Sequence, residues 1–221
     1  MALSVAPLSE PADPPVSPRW LEWSRRLQSV AQAGLTHARD PFDQERYRDV
    51  RRIAAEIAAA GSDENVDAIQ GFFASERGYP TPKVDVRAAV IVQERILLVK
   101  ERDDRGWSLP GGWADVGESA GEAAVRETRE ETGVVVRPEK VIALYERERR
   151  GHPPHPEFSY KVFFACRVCG GHQSHPGPET LDATFFAPDA LPPLSAARVT
   201  PQEVAVAFAH HRDPGLPTEF D

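Results

Sequence analysis

The sequence of 221 residues contains only two cysteines, Cys166 and Cys169. Two cysteines cannot build a disulfide framework, so the sequence predicts a protein of a reducing compartment. Basic residues are also scarce, because 26 lysines and arginines face 34 aspartates and glutamates and leave a net charge of −8. This balance disfavours nonspecific binding to nucleic acid or to an anionic membrane surface.

Long apolar segments are missing as well. No run approaches the roughly 20 apolar residues that a bilayer-spanning helix needs. Residues 1–10, MALSVAPLSE, lack the basic start of a secretory signal. We therefore expect a cytoplasmic protein without a membrane partner. If so acidic a protein binds phosphates, we also expect a local positive charge, such as a bound cation, that offsets the repulsion between like charges.

The N-terminal third changes from a proline-rich tail to a helical pattern. Residues 1–17 contain four prolines and few side chains that could pack, which predicts a disordered tail. Apolar residues then recur at steps of three and four through residues 18–77. This pattern predicts three helices, of which the first stops at Gly34 and the second runs from Pro41 to Gly61.

The helical region needs a partner surface, because three short helices build only a thin core. Its apolar stripe includes two large side chains, Trp20 and Trp23. We predict a homodimer that forms through these helices. Packing on the rest of the same chain is the alternative.

A proline-punctuated linker, residues 78–83, precedes a change of period. Residues 84–221 then read as strands with two helices between them. The β-rich runs on either side of Gln93-Glu94 predict a hairpin. Further strands are predicted in residues 134–148, 158–168 and 184–187. Mixed strands with few helices predict an α+β or α/β sandwich.

The most informative segment is residues 109–134, LPGGWADVGESAGEAAVRETREETGV. It predicts a helix capped by Ser119 and closed by Gly133. Three carboxylates would then share one face of that helix: Glu127, Glu130 and Glu131. Such a cluster is unfavourable unless a cation lies on it, and hard divalent ions such as Mg²⁺ prefer carboxylate oxygens.

Two neighbouring features support a cation site over a merely solvated acidic helix. Arg126 lies beside the acidic face and can pair with a carboxylate, which would hold its rotamer. Gly111 and Gly112 let the backbone approach closely, so a carbonyl there could join the coordination shell. A solvated helix needs neither the glycines nor the single arginine.

The spacing of these residues resembles the Nudix box. The matching positions are Gly112, Glu118, Arg126, Glu127, Glu130, Glu131, Gly133 and Val134. One position departs from the pattern, since the residue after Glu127 is usually aliphatic and here it is Thr128. The resemblance extends over the surrounding residues, from about 84 to 208.

This resemblance implies an α/β fold, a Nudix-type α/β/α sandwich with a mixed sheet, preceded by a small α-helical N-terminal domain. The implied reaction is the hydrolysis of a nucleoside diphosphate linked to another moiety X, giving a nucleoside monophosphate and phospho-X. Mg²⁺ or Mn²⁺ would neutralise the phosphates and lower the pKa of a bound water.

Residue roles follow from the same resemblance. The metal ligands would be Glu127, Glu130, Glu131 and the carbonyl of Gly112. Glu118 would orient a ligand or join the network behind it. Either Glu131 or Glu179 would act as the general base.

Substrate contacts are predicted at five positions, each with a plainer alternative. Arg87 and Lys100 could hold phosphate oxygens, or they could face outward from their strands. Trp107 could stack on a base, or it could pack internally. His152 and His155 could contact phosphate or X, or they could belong to an exposed proline-stiffened loop.

A second metal motif is conceivable in CRVCGGHQSH, where Cys166, Cys169, His172 and His175 recur at three-residue steps. A Cys-x-x-Cys-Gly sequence is typical of part of a zinc knuckle. However, Cys166 lies in a predicted strand, and strand residues three apart point to opposite faces. We therefore predict a strand and a turn.

The leading functional hypothesis is hydrolysis of a small nucleoside diphosphate linked to X, such as ADP-ribose or CDP-choline. Hydrolysis of RNA or of a dinucleotide is one alternative, although the net charge and the lack of a basic aromatic stripe disfavour long RNA. A non-catalytic nucleotide sensor is another. The segment retains every glutamate of the box, which favours an enzyme.

Overall fold

The structure is a computed structural model that describes residues 18–171 and 179–221. The predicted tail, His172 and His175 lie outside the described residues. The elements in chain order are α1 (Arg19–His37), α2 (Pro41–Gly61), α3 (Val66–Ser75), β1 (Lys83–Val92), β2 (Arg95–Glu101), β3 (Trp107–Ser108), α4 (Ala120–Thr132), β4 (Val134–Glu146), a 3-10 turn (Arg147–Arg150), β5 (Ser159–Gly171), β6 (Thr180–Phe186), α5 (Pro201–Arg212) and β7 (Glu219–Phe220). Across the described ranges, no helix combines the length and the apolar character that crossing a membrane requires.

The three N-terminal helices pack against one another. Asp40 caps α2 by accepting two backbone N–H groups of the first turn, which Pro41 opens. The predicted stop of α1 at Gly34 is wrong, because the helix continues to His37. Gly34 instead allows close packing: a Cβ there would lie 2.3 Å from the ring of Tyr47.

The buried face of α1 differs from the predicted apolar stripe. Trp23 and Val30 are 47% and 57% exposed, whereas Ser24 and Gln28 are buried. The Ser24 hydroxyl donates to the carbonyl of Ala54 at 2.8 Å, and the Gln28 amide donates to a carbonyl of α3 at 3.2 Å. These hydrogen bonds offset the loss of water around the Ser24 hydroxyl and the Gln28 amide nitrogen, whereas the buried Gln28 Oε1 has no hydrogen-bond partner among the described residues. The outer face of α1 therefore carries two large apolar side chains, Trp23 and Val30, among polar ones.

The remaining elements form the predicted α/β/α sandwich around a mixed sheet. The strand order is β3-β2-β1-β5-β4-β7, and β6 also pairs with β2. β1 runs parallel to β5 and antiparallel to β2, and β4 runs antiparallel to β5. Gln93 and Glu94 have φ angles of 50° and 55°, which is the tight turn of the predicted hairpin.

Two apolar cores lie on opposite faces of this sheet. Consecutive residues of β5 point to opposite sides, so Phe164 packs with Ala124 of α4 while Phe163 packs with Phe208 of α5. Burial of each such large side chain contributes about 1.5–3 kcal/mol. The apolar alternation of β1 and β5 thus fixes the side of the sheet on which α4 lies.

Arg25 joins the helical region to the sandwich. Its guanidinium forms a two-pronged ion pair with Glu148, with one prong at 2.7 Å. It also donates to the carbonyls of His155 and Glu157, and it lies over the ring of Phe158 at 5.7 Å. The Arg25 and Glu148 side chains are only 15% and 4% exposed. This contact is therefore a buried ion pair between two parts of the chain.

Removing the guanidinium should destabilise the protein. Arg25→Ala should lower the free energy of unfolding by on the order of 2–4 kcal/mol, because the buried Glu148 and the carbonyls of His155 and Glu157 would lose the hydrogen bonds of the guanidinium. Arg26→Ala is the matched control one position along α1, where the contact to Glu22 is 75% and 55% exposed and is worth less than about 0.5 kcal/mol. Urea denaturation measures both variants, and equal effects would contradict the assignment.

Candidate active site

The acidic segment folds as a loop followed by α4, and both helix ends are fixed by local hydrogen bonds. Ser119 and Glu122 form a reciprocal capping box, in which the Ser119 N–H donates to the Glu122 carboxylate at 2.8 Å. The helix ends at Gly133, whose φ of 73° is left-handed. These two ends set the rotation of α4 and so decide which carboxylates face the glycine pair.

Arg126 connects the charged groups of this region. Its guanidinium binds Glu118 with two nitrogens, at 2.7 and 3.1 Å. It also contacts Glu127 at 2.7 Å and Glu130 at 3.3 Å. A further hydrogen bond at 3.2 Å reaches the carbonyl of Trp113. One side chain therefore orders the loop and the acidic face together.

Glu118 is held as an anion by these contacts. The hydrogen bonds from Arg126 and from the Asp115 N–H lower the pKa of the Glu118 carboxyl to about 2. The same hydrogen bond raises the pKa of Arg126 above its ordinary value. Glu118 thus remains ionised throughout the neutral range and anchors the loop to the helix.

Glu131 lies deeper than the other carboxylates. It is only 8% exposed, and its carboxylate accepts the Gly111 N–H at 2.9 Å. Burial raises the pKa of Glu131 to about 8, although the nearby charge of Arg87 opposes this shift. Burial also raises the pKa of Glu127. A cation beside these groups would favour their ionised forms.

Space is tight at both glycines before the loop, and at Gly111 the backbone itself requires glycine. A Cβ on Gly111, whose φ is 145°, would lie 1.9 Å from the carbonyl oxygen of Val86. A Cβ on Gly112 would lie 3.0 Å from the carboxylate of Glu127. The Gly112 carbonyl accepts the Val86 N–H at 2.8 Å and so faces β1. A carbonyl oxygen has a second lone pair, so the predicted role of Gly112 as a metal ligand stays a prediction.

The donor chemistry of the site fits a hard divalent cation. The available ligands are carboxylate oxygens, and two of the carboxylates are buried enough for their pKa values to be raised. Among residues 18–171 and 179–221, however, no three acidic, histidine or cysteine side chains already form a metal cluster. At present Arg126 holds Glu127, and the Gly111 N–H holds Glu131.

Both basic strand residues are at least partly buried, and their predicted phosphate contacts stay predictions. Arg87 is buried, forms an ion pair with Asp85 at 2.9 Å and donates to the Leu109 carbonyl at 3.1 Å. It therefore does not face outward, its Nε has no hydrogen-bond partner among the described residues, and its charge acts on the site. Lys100 is half-buried, with its ammonium 6.0 Å from the centre of the Trp107 ring.

Of the aromatic and histidine residues with predicted substrate contacts, Trp107 and His152 are buried and His155 is half-buried. Trp107 is 9% exposed and meets Phe186 edge-on at 4.7 Å, which is the internal packing alternative. His152 is buried, and its Nε2 lies 2.8 Å from the Glu203 carboxylate. His155 is half-buried, and burial lowers the pKa of its ring.

Glu179, the second candidate base, is exposed on the strand side of the site. The next residue, Thr180, donates its hydroxyl to the Glu131 carbonyl at 3.2 Å. The departure from the box at Thr128 is accommodated, because its buried hydroxyl donates to the Ala124 carbonyl at 2.7 Å. Cys166 is buried in β5 and Cys169 is exposed, as strand residues three apart should be.

Sequence reasoning missed one buried carboxylate near the site. Glu101 ends β2, is 5% exposed and accepts the Ser108 hydroxyl at 2.5 Å. It also pairs with Arg198 at 3.3 Å, and its charge contributes to the raised pKa of Glu131. The signal was present in the sequence as an acidic residue at the end of a β-rich segment, two positions after the apolar run 96–99.

The Glu118 anchor predicts a pH-dependent stability. Because the pKa of Glu118 falls from 4.5 to about 2 on folding, its stabilisation is complete above about pH 4.5 and is lost as the pH falls towards 2. Glu118→Gln should therefore unfold more easily than the wild type above pH 4.5, and the two should converge near pH 2. Urea denaturation between pH 2 and 7 measures this difference, and a constant difference would contradict the prediction.

Two family descriptions match this chain. Residues 18–73 match an N-terminal oligomerisation domain described as UDP-X-like, and residues 81–206 match the NUDIX domain. The second match covers more than half of the sequence. It includes the glycine pair, the whole of α4 and most of the sheet.

Individual relatives agree with these matches. The Bacillus subtilis protein YjhB, described as a candidate ADP-ribose pyrophosphatase, is 42% identical over 93% of this chain and 99% of its own length. The crystal structure of a UDP-X diphosphatase is 30% identical, with a TM-score of 0.60, over 92% of this chain and 98% of that one. A Streptococcus suis ADP-ribose pyrophosphatase structure is 39% identical, with a TM-score of 0.58, over 64% and 100%. The fold, the spacing of the box and these similarities together show that the chain belongs to the Nudix family.

Proposed function

We propose that the protein is a Mg²⁺- or Mn²⁺-dependent pyrophosphohydrolase that converts ADP-ribose to AMP and ribose 5-phosphate. The observation that carries this proposal is the pair of desolvated carboxylates, Glu127 and Glu131, packed against the glycine pair. The names of two relatives support ADP-ribose as the substrate. None of these relatives is named for CDP-choline. The similarity to a UDP-X diphosphatase makes a uridine nucleotide the second candidate substrate.

Each acidic residue has a proposed role. Three carboxylates would hold the cation: Glu127, Glu130 and Glu131. When bound, the cation would neutralise pyrophosphate charge and acidify a water. Arg126 positions this set, because it binds Glu127 while it is itself fixed by Glu118. Gly111 keeps the Glu131 carboxylate in place by donating its N–H.

Glu131 is also our proposed general base. Its carboxylate is held by the Gly111 N–H, and a cation beside it would favour the ionised form, which could accept a proton from a bound water. Glu179 is the alternative base, since it is exposed beside the strand that contacts the Glu131 carbonyl.

The location in a reducing, cytoplasmic compartment stays a prediction from the two cysteines.

A substrate panel tests the proposal. The purified protein is supplied with Mg²⁺ or Mn²⁺ and, separately, with ADP-ribose, a UDP-sugar, CDP-choline, a dinucleotide or short RNA, and products are separated by chromatography. We expect AMP from ADP-ribose, and no product after chelation of the metal. Glu131→Gln should lower kcat by about 10²–10⁴-fold, because the base and a ligand are lost together.

Two further variants show whether the loss of kcat in Glu131→Gln is specific to that carboxylate. Glu56→Gln removes an exposed carboxylate from α2 and should leave kcat unchanged. Glu179→Gln should reduce kcat by less than threefold if Glu131 is the base. A larger loss of kcat in Glu179→Gln would identify Glu179 as the general base instead. If the wild type forms no product from any of the substrates, the enzymatic proposal is contradicted.

We also propose that the chain forms a homodimer through the outer face of its first two helices. Trp23 and Val30 lie on one side of α1 and are 47% and 57% exposed, while Phe42 and Ile53 on α2 are 69% and 43% exposed. Exposed apolar patches of this kind are typical of protein interfaces. The match of residues 18–73 to an oligomerisation domain supports this assignment.

Charge placed on that face should separate the copies. Trp23→Glu combined with Val30→Glu should halve the mass measured by light scattering, because two carboxylates would be buried without partners in a dimer. Phe220→Glu is the control, since Phe220 is 74% exposed and belongs to β7 rather than to α1 or α2. Dissociation by the Phe220 variant alone would contradict the proposed interface.

A further inference from the structure

The loop between the glycine pair and α4 exposes an aromatic side chain beside the acidic site. Trp113 follows Gly112 directly and is 44% exposed. Its carbonyl accepts a hydrogen bond from Arg126 at 3.2 Å. The backbone of Trp113 is therefore held by the same guanidinium that binds Glu118 and Glu127.

The strand pairing shows on which face of the sheet the indole lies. Trp113 forms an antiparallel bridge with Asp85 of β1, and the next residue donates its N–H to the Val84 carbonyl at 3.0 Å. Paired residues of antiparallel strands have their side chains on the same face. Trp113 thus shares a face with Asp85 and, two residues along β1, with Arg87. Arg87 is the residue whose charge acts on Glu131.

The distance from the acidic site suits a nucleotide. Trp113 lies two residues beyond Gly111, whose N–H binds the Glu131 carboxylate. At about 3.4 Å per residue in an extended strand, this separation is about 7 Å. A ribose and its 5′ carbon separate a base from its phosphate by a similar length. Trp107, the other tryptophan of the region, is buried and has no free ring face.

We propose that Trp113 stacks on the nucleobase of the substrate and so distinguishes nucleotides from base-free diphosphates. This inference rests on the proposed function. Every base offers a π-face, so a single indole selects for the presence of a base more than for its identity. The residue therefore accounts for nucleotide recognition without requiring that adenine be read by hydrogen bonds.

Steady-state kinetics with two substrates tests this role. Trp113→Leu removes the ring but keeps an apolar side chain, and it should raise KM for ADP-ribose about tenfold with little change in kcat. A diphosphate that carries ribose on both ends and no base should be hydrolysed equally by the variant and the wild type. Trp113→Phe should restore most of the affinity for ADP-ribose.

Binding without turnover supplies an independent measurement. An ADP-ribose analogue with a methylene group between the phosphorus atoms should quench tryptophan fluorescence in the wild type. The same quenching should occur in Trp23→Phe, which removes a tryptophan of similar exposure from α1. In Trp113→Phe the quenching should be lost.

The outcomes separate the stacking proposal from the proposed function. Equal losses of kcat/KM for the nucleotide and the base-free substrate would overturn stacking, because the ring would then only support the loop. Quenching that persists in Trp113→Phe would overturn it as well. If the wild type hydrolyses nothing but the analogue still quenches Trp113, stacking is supported and the enzymatic proposal fails.

Discussion

The acidic site depends on one interaction, the binding of several carboxylates by the guanidinium of Arg126. Without it, the loop from Gly112 to Ser119 would lose the ion pair that joins Glu118 to α4, and the carboxylates of the helix would repel one another. Arginine suits this position because its planar fork can bind two oxygens of Glu118 and still reach Glu127. A lysine could neutralise the charge but could not fix both partners at once.

Local sequence signals predicted much of the fold because local physics determines those parts. The capping residue Ser119 and the left-handed Gly133 bound α4, and the pair Gln93-Glu94 forms the hairpin turn. The same reasoning failed at Gly34, which resembles a helix stop in sequence but serves a contact with Tyr47 of another helix. Contacts between elements that are distant in sequence leave no periodic signal.

The site was predictable in its residue types and less so in its contacts. Spacing alone places the three carboxylates on one face of α4, but the direction of a carbonyl is set by its strand partner, as Gly112 shows with Val86. Burial decided between the tryptophans: Trp107 is part of the core, and Trp113 is exposed. Two tryptophans six residues apart cannot be distinguished in this way until the partners of each strand are known.

The ion pair of Arg25 with Glu148 couples the unfolding of the helical region to that of the sandwich. The carbonyls of residues 155–157 accept from a helix that precedes them by more than a hundred residues in the chain. If α1 detached, those groups and the buried carboxylate would have to be hydrated at the same moment. The helical region and the sandwich are thus thermodynamically linked and should melt in a single cooperative transition rather than in two.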